Sequence, residues 1–125
     1  MNLTNKQVSL PMAAEIAEAL KESGKPAPGK MLLIMPKGEQ RTESGIIIPG
    51  DNEKDLPRKG VVIQFTQLQD LKDQVFVGNI ITFGMYAGKE IEFTQEQLPM
   101  VDFQNYKFTI LSESEVIYIE SNTNK

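Results

Sequence analysis

The stretch KPAPGKMLLIM, residues 25–35, marks the point at which the pattern of the chain changes. Its first half is a connector stiffened by two prolines, and its second half is an uninterrupted apolar run. From Met31 onward, short apolar or alternating runs are divided by turn residues, which is typical of β-strands. These runs are MLLIM (31–35), GVVIQF (60–65), NIITF (79–83), KEIEF (89–93), YKFTI (106–110) and VIYIE (116–120). They predict an all-β fold, a small antiparallel barrel or sandwich.

The residues before the connector predict one short helix. Met12, Ile16 and Leu20 recur at every fourth position over residues 9–23, Ser9 is a suitable cap, and Gly24 suits the stop. A helix of this length is marginal alone, so it must dock on the remainder of the chain or fray. We therefore expect an N-terminal extension over residues 1–24, a β-domain over 25–120 and a disordered tail over 121–125.

Composition restricts the partners and the chemistry. The formal net charge of −4 and the pI near 4.9 argue against nucleic acid and against an anionic membrane surface. The chain has no cysteine and no histidine, which removes disulfides, thiolate and histidine catalysis and nearly all zinc sites. No segment has the apolar length of a signal peptide or of a membrane span. These features predict a cytoplasmic protein.

Two patterns that resemble enzyme or nucleotide sites fail on their context. GKPAPGK (24–30) has the spacing of a phosphate-binding loop, but Met31 stands where a serine or threonine is required, and Pro26 and Pro28 remove backbone donors. Glu90 and Glu92 share one face of an alternating strand, which is typical of a solvated surface rather than of a catalytic pair. We predict a protein that is not an enzyme and has no metal and no cofactor of its own.

The interval between Pro36 and Lys59 is too long for a tight turn inside a compact domain, and such connections are usually functional or mobile. Within it, RTESGIIIPGDNEKD (41–55) places three consecutive isoleucines among charged and turn-forming residues. Three large apolar side chains in a polar segment require a cover. Either they form a buried strand that pairs with MLLIM, or they form an apolar hook on a flexible loop that becomes ordered on a partner.

A second long interval, TQEQLPMVDFQN (94–105), carries Leu98, Met100, Val101 and Phe103. A purely solvated connection would not need four large apolar side chains. We therefore expect this segment to fold back onto the barrel.

Five segments, in order and at compatible spacing between Lys25 and Glu120, resemble the GroES-type co-chaperonin family. KPAPGKMLLI resembles the family's opening and first strand, SGIIIP the tip of its mobile loop, and KGVVI the strand after that loop. VGNIITF (77–83) and LSESEVIYIE (111–120) resemble the family's Val-Gly-Asp-Ile run and its C-terminal strand. The resemblance implies a small GroES-like antiparallel β-barrel with a long mobile loop over about residues 36–59.

The resemblance also implies a function. Such a protein caps a GroEL-type chaperonin ring as one subunit of a heptamer and encloses unfolded client proteins, while ATP is bound by the chaperonin and not by this chain. Carried over to this sequence, Ile46, Ile47 and Ile48 bind the chaperonin, and Gly45 permits the turn of the loop. The alternative is a structural or adaptor β-barrel, such as a virion component, with the tripeptide buried in its core.

In the family, the ring closes when the first strand of each subunit pairs with the last strand of a neighbour. This implies a subunit interface formed by two groups of residues, five in all. The alternative is that all five residues lie in the core of their own chain. The two groups are Leu32, Leu33 and Ile34 on the first strand and Ile117 and Ile119 on the last.

Three features depart from the short bacterial forms of the family. TQLQDLKDQ (66–74), in the place of the family's roof hairpin, is shorter and lacks glycine, and the segments 1–24 and 94–105 are additions. Such departures resemble co-chaperonins encoded by bacteriophages, which would place the protein in the host cytoplasm. A divergent bacterial paralogue would show the same departures.

Overall fold

A computed structural model describes residues 8–37, 58–84 and 86–122, which form one helix and a six-stranded antiparallel sheet. The strand order is β4-β5-β1-β2-β3-β6, consistent with a small GroES-like β-barrel. The predicted all-β class and the six predicted strands are confirmed, although β4 ends at Ile91 instead of Phe93. The elements are α1 (Leu10–Leu20), β1 (Lys30–Pro36), β2 (Arg58–Thr66), β3 (Ile80–Phe83), β4 (Lys89–Ile91), β5 (Tyr106–Ser112), a short 3-10 turn (Glu113–Glu115) and β6 (Val116–Glu120).

Strand β1 lies in the middle of the sheet and is buried on both faces. It pairs with β2 from Lys30 to Ile34 and with β5 along its whole length. Because side chains alternate along a strand, Leu32 and Ile34 point to one face while Met31 and Leu33 point to the other. An antiparallel strand usually has one solvated face, so this double burial requires a cover on each side of the sheet.

Helix α1 covers the face that carries Leu32 and Ile34. The predicted cap is confirmed, since the Met12 N–H donates to Ser9 Oγ at 3.4 Å. The helix buries one stripe, and the resulting cluster, which we call the helix-covered core, contains Val8, Ala13, Ile16, Leu20, Leu32, Ile34, Val61, Ile63, Leu98, Val101 and Phe108. The helix is therefore docked, and its apolar stripe continues the core of the sheet.

The segment 94–105 covers the same face, as predicted from its apolar residues. Leu98 and Val101 are buried in the helix-covered core. Gln95 closes the segment on itself by donating from Nε2 to the Val101 carbonyl at 2.8 Å. Phe93 meets Phe108 edge to face with ring centroids 5.0 Å apart, which fixes the approach of the segment to β5.

The other face of the sheet forms a second core. Met31, Leu33, Met35, Val62, Ile81, Phe83 and Leu111 supply its strand residues, and Leu68 and Val75 of the β2–β3 connection close it. Val116 and Ile119 pack against it from β6. Of the tail that sequence assigned to disorder, Asn122 donates from Nδ2 to the Val8 carbonyl at 2.8 Å, and residues 123–125 lie outside the described part.

Candidate functional site

The segment that carries the isoleucine tripeptide joins β1 to β2 at one end of the sheet. Pro36 pairs with Tyr106, Arg58 pairs with Phe83, and the Lys37 N–H donates to the Asn105 carbonyl at 2.8 Å. The described fold is therefore interrupted after Lys37 and resumes at Arg58, the first residue of β2. The predicted chaperonin-binding residues Gly45, Ile46, Ile47 and Ile48 lie outside the described residues.

The pairing of β1 bears on the alternative place for the tripeptide. That alternative required a hairpin between the isoleucines and MLLIM. From Lys30 to Ile34, however, one edge of β1 is hydrogen bonded to β2 and the other edge to β5. The required edge is therefore already occupied by strands of the described fold.

The same pairing bears on the predicted subunit interface. Leu32, Leu33 and Ile34 are almost completely buried within their own chain, and β1 has no free edge from Lys30 to Ile34 for a strand of a neighbour. Within the single chain these three residues lie in the core, and the subunit interface predicted for them stays a prediction. The hydrophobic run alone did not distinguish a central strand from an interface strand, since both are apolar.

Strand β6 is the part of that predicted interface that remains open. It pairs with β3 on one side, and within the described residues its other edge has no strand partner. Ile117 is 65% exposed and the neighbouring Tyr118 is 62% exposed, whereas Ile119 packs on the second core. An unpaired edge flanked by exposed apolar side chains is a template for another strand. Sequence reasoning named Ile117 and Ile119 but missed Tyr118.

A carboxylate at the opposite end of the sheet was also missed by sequence reasoning. Both oxygens of Glu113 accept the Gln69 N–H at 3.0 Å, and Oε1 also accepts the Leu71 N–H at 3.0 Å. The backbone N–H of Gln69 is the main reason that the pKa of Glu113 lies below its ordinary value of 4.5, and the N–H of Leu71 acts in the same direction. A contact across more than forty residues leaves no local signal in the sequence.

The fold also contains an open pocket of about 320 Å³ between β4, β5 and the segment that follows β4. Phe93, Phe103 and Phe108 form its apolar wall, and Lys37, Lys107, Glu90 and Glu92 lie around it. Across residues 8–37, 58–84 and 86–122, no group of three or more acidic, histidine or cysteine side chains is arranged to hold a metal ion. In the same ranges, no helix is long and apolar enough to cross a membrane.

Comparison with known proteins connects this fold to one family. The family described as the chaperonin 10 Kd subunit matches residues 25–119. The match begins after α1, spans β1 to β5 and the segment 38–57, and ends at Ile119 within β6.

Individual relatives agree with the family match, and each of the three named here is described as a co-chaperonin GroES. The protein of Thermosipho africanus is 35% identical over 78 residues, which cover 62% of this chain and 86% of the relative. The protein of Kosmotoga olearia is 41% identical over 76 residues, 59% of this chain and 82% of the relative. The protein of Coprothermobacter proteolyticus is 30% identical over 106 residues, 80% of this chain and 97% of the relative.

Proposed function

This chain belongs to the chaperonin 10 Kd subunit family of GroES-type co-chaperonins, and from that premise we propose that it caps a GroEL-type chaperonin ring and encloses substrate protein for folding. The observation that carries the proposal is the family match over residues 25–119, which includes the segment between β1 and β2. The fold supports it, because the two strands that flank this segment, β1 and β2, pair with each other in a well-packed sheet.

In this proposal the contact is made by Ile46, Ile47 and Ile48, with Gly45 allowing the turn of the segment. Burial of one isoleucine contributes roughly 1.5–3 kcal/mol, so three contribute on the order of 5–9 kcal/mol before costs. Ordering a flexible segment on its partner takes back about 2–5 kcal/mol. One copy therefore binds weakly, and several copies on one ring bind tightly through their effective concentration. A cap that has to be released needs this combination.

The ring itself is proposed to be a homo-oligomer, a heptamer as the family resemblance implies. The open edge of β6, with Ile117 and Tyr118 exposed beside it, supports an interface at this strand. The neighbour's contribution comes from a segment other than Lys30–Ile34, since both edges of β1 are occupied there.

We further propose that the chain has no enzymatic activity, and that ATP acts through the chaperonin partner in the cytoplasm. The relatives named above are bacterial, and a bacteriophage origin stays a prediction.

The proposal is tested by native mass measurement and by co-migration with a GroEL-type ring in the presence and absence of adenine nucleotide. Ile47→Asp is expected to abolish co-migration while the melting temperature stays almost unchanged. Asn52→Asp is the matched control, because it adds the same charge to the same segment outside the tripeptide, and it should still bind.

Two outcomes would contradict the proposal. A strictly monomeric wild-type chain that never migrates with the ring would remove the capping function. A large loss of stability in Ile47→Asp would instead place the tripeptide in the core, as expected for a structural or adaptor β-barrel.

A further inference from the structure

We propose that Glu113 is a positioning residue that fixes the first part of the β2–β3 connection, residues 67–74, at the end of the sheet opposite the end that leads into the 38–57 segment. The location of this connection at the apex of a cap rests on the proposed function, whereas the positioning role rests only on the geometry of the single chain.

The carboxylate acts as a cap for backbone donors that the connection leaves unpaired. Its two oxygens receive the Gln69 N–H, each at 3.0 Å, and Oε1 receives the Leu71 N–H at 3.0 Å. Hydrogen bonds from backbone N–H groups to an ionised carboxylate are stronger than those between neutral groups. One side chain thereby holds two points of a connection that is distant in sequence.

Glu113 is itself held in place by the strand ends around it. Its backbone N–H donates to the Gly29 carbonyl at 3.0 Å, and the Gly29 N–H donates to the Thr66 carbonyl at 2.8 Å. Beside it, Lys30 Nζ donates to Ser112 Oγ at 2.8 Å. The starts of β1 and of the 3-10 turn and the end of β2 therefore form a fixed base from which the carboxylate reaches the connection.

The connection needs such support because its own backbone is not relaxed. Gln67 and Asp73 have φ angles of 45° and 64°, and left-handed backbone is unfavourable for residues other than glycine, more so for Gln than for Asp. Leu68 is buried in the second core and Leu71 packs against it, so displacement of the connection would open that core. The carboxylate bonds lie between the two left-handed residues, which is where they oppose such displacement.

The hydrogen bonds of Glu113 lie at the end of β1 opposite the end that leads into the 38–57 segment. Lys30 pairs with Thr66 and Ser112 at one end of β1, whereas Pro36 pairs with Tyr106 at the other end. Seven residues of strand separate the ends by about 20 Å. In a ring that stands on its 38–57 segments, residues 67–74 lie at the far end. Each Glu113 then sets the orientation of its subunit's contribution to the apex.

The test compares Glu113→Gln, Glu113→Ala and the exposed control Glu96→Gln in the full chain. Gln keeps the size of the side chain but replaces one accepting oxygen with a donor, so it retains the fold and loses part of the contact. Amide exchange at Gln69 and Leu71 and tryptic cleavage after the exposed Lys72 are measured. We expect both to become roughly three- to tenfold faster in Glu113→Ala, intermediate in Glu113→Gln and unchanged in Glu96→Gln.

A pH series distinguishes a charged hydrogen-bond acceptor from a side chain that only fills space, because only the former responds to protonation. Protection of Gln69 and Leu71, corrected for intrinsic exchange, should fall in the wild type as the pH drops through the lowered pKa of Glu113, and this fall should be absent in Glu113→Gln.

Unchanged exchange and cleavage in Glu113→Ala would overturn the proposal, and so would equal loss of protection in β1. Neither measurement involves a chaperonin, so failure here is distinct from failure of the capping function.

Discussion

Replacement of Ile16 by alanine tests whether the N-terminal helix is part of the fold or an appendage. Ile16 is fully buried in the helix-covered core, against a sheet face that carries Leu32, Ile34, Val61 and Ile63. If the family barrel were complete without the helix, a cavity under α1 would loosen only the helix. If the helix closes the core, the same cavity lowers the stability of the whole chain.

The magnitude follows from the burial. Truncation of a fully buried isoleucine to alanine costs about 2–5 kcal/mol, because apolar transfer energy is lost and a cavity remains. For a domain of this size, 1 kcal/mol shifts the melting temperature by roughly 4 °C, so a decrease of about 8–20 °C is expected. Glu15→Ala, on the exposed side of the same helix, should change the stability by less than about 0.5 kcal/mol.

The assay is thermal unfolding followed by far-ultraviolet circular dichroism and by tyrosine fluorescence, at one fixed protein concentration because oligomerisation also stabilises. Coincident transitions that shift together in Ile16→Ala would show one cooperative unit. Loss of helical signal in Ile16→Ala with an unchanged barrel transition would refute the conclusion that α1 completes the core.

Three further predictions concern other parts of the fold. Because the pKa of Glu113 is lowered in the folded chain, its contribution to stability is present above the ordinary value of 4.5 and is lost as the pH falls through the lowered value. Urea midpoints measured on both sides of that pH should therefore decrease more steeply with acidification in the wild type than in Glu113→Gln. Gly78→Ala should destabilise the fold by about 1–3 kcal/mol in thermal unfolding, because Gly78 has a φ of 96° and an added Cβ would overlap Cδ1 of Leu10. The control Gly84→Ala should be neutral, because an added Cβ there meets nothing within 4 Å. Ile117→Lys should reduce the oligomer to smaller species in native mass measurement without lowering the subunit's content of β-structure, and an intact ring would contradict an interface at β6.

The strands could be predicted from sequence because their periodicity follows from burial. YKFTI alternates, and its apolar residues Tyr106, Phe108 and Ile110 all lie in or against the helix-covered core. The run KEIEF was predicted to continue to Phe93, but β4 ends at Ile91. Phe93 instead packs on Phe108, and a local pattern does not contain that tertiary contact.

The order of the strands and the contacts between distant segments could not be predicted in the same way. MLLIM is equally apolar whether its neighbours come from the same chain or from another subunit, so Leu32, Leu33 and Ile34 were open to both interpretations. Glu113 shows the same limit for a polar group. The local sequence Ser112-x-x-Glu115 indicates a capping box, which the structure contains, but nothing near Glu113 indicates Gln69 or Leu71 as its partners.

The two additions to the sequence, α1 and the segment 94–105, depend on each other because they cover one face of one sheet. Ile16 and Leu20 of the helix share the helix-covered core with Leu98 and Val101 of the segment. Either cover alone would leave some of the sheet residues beneath them, Leu32, Ile34, Val61 and Ile63, exposed to water. Each Å² of apolar surface exposed in this way costs about 25 cal/mol. A chain that contains α1 is therefore stabilised by the segment 94–105, and a chain that contains the segment is stabilised by α1. This dependence explains why the face of β1 that carries Leu32 and Ile34 is fully buried, while residues of the β2–β3 connection close the other face.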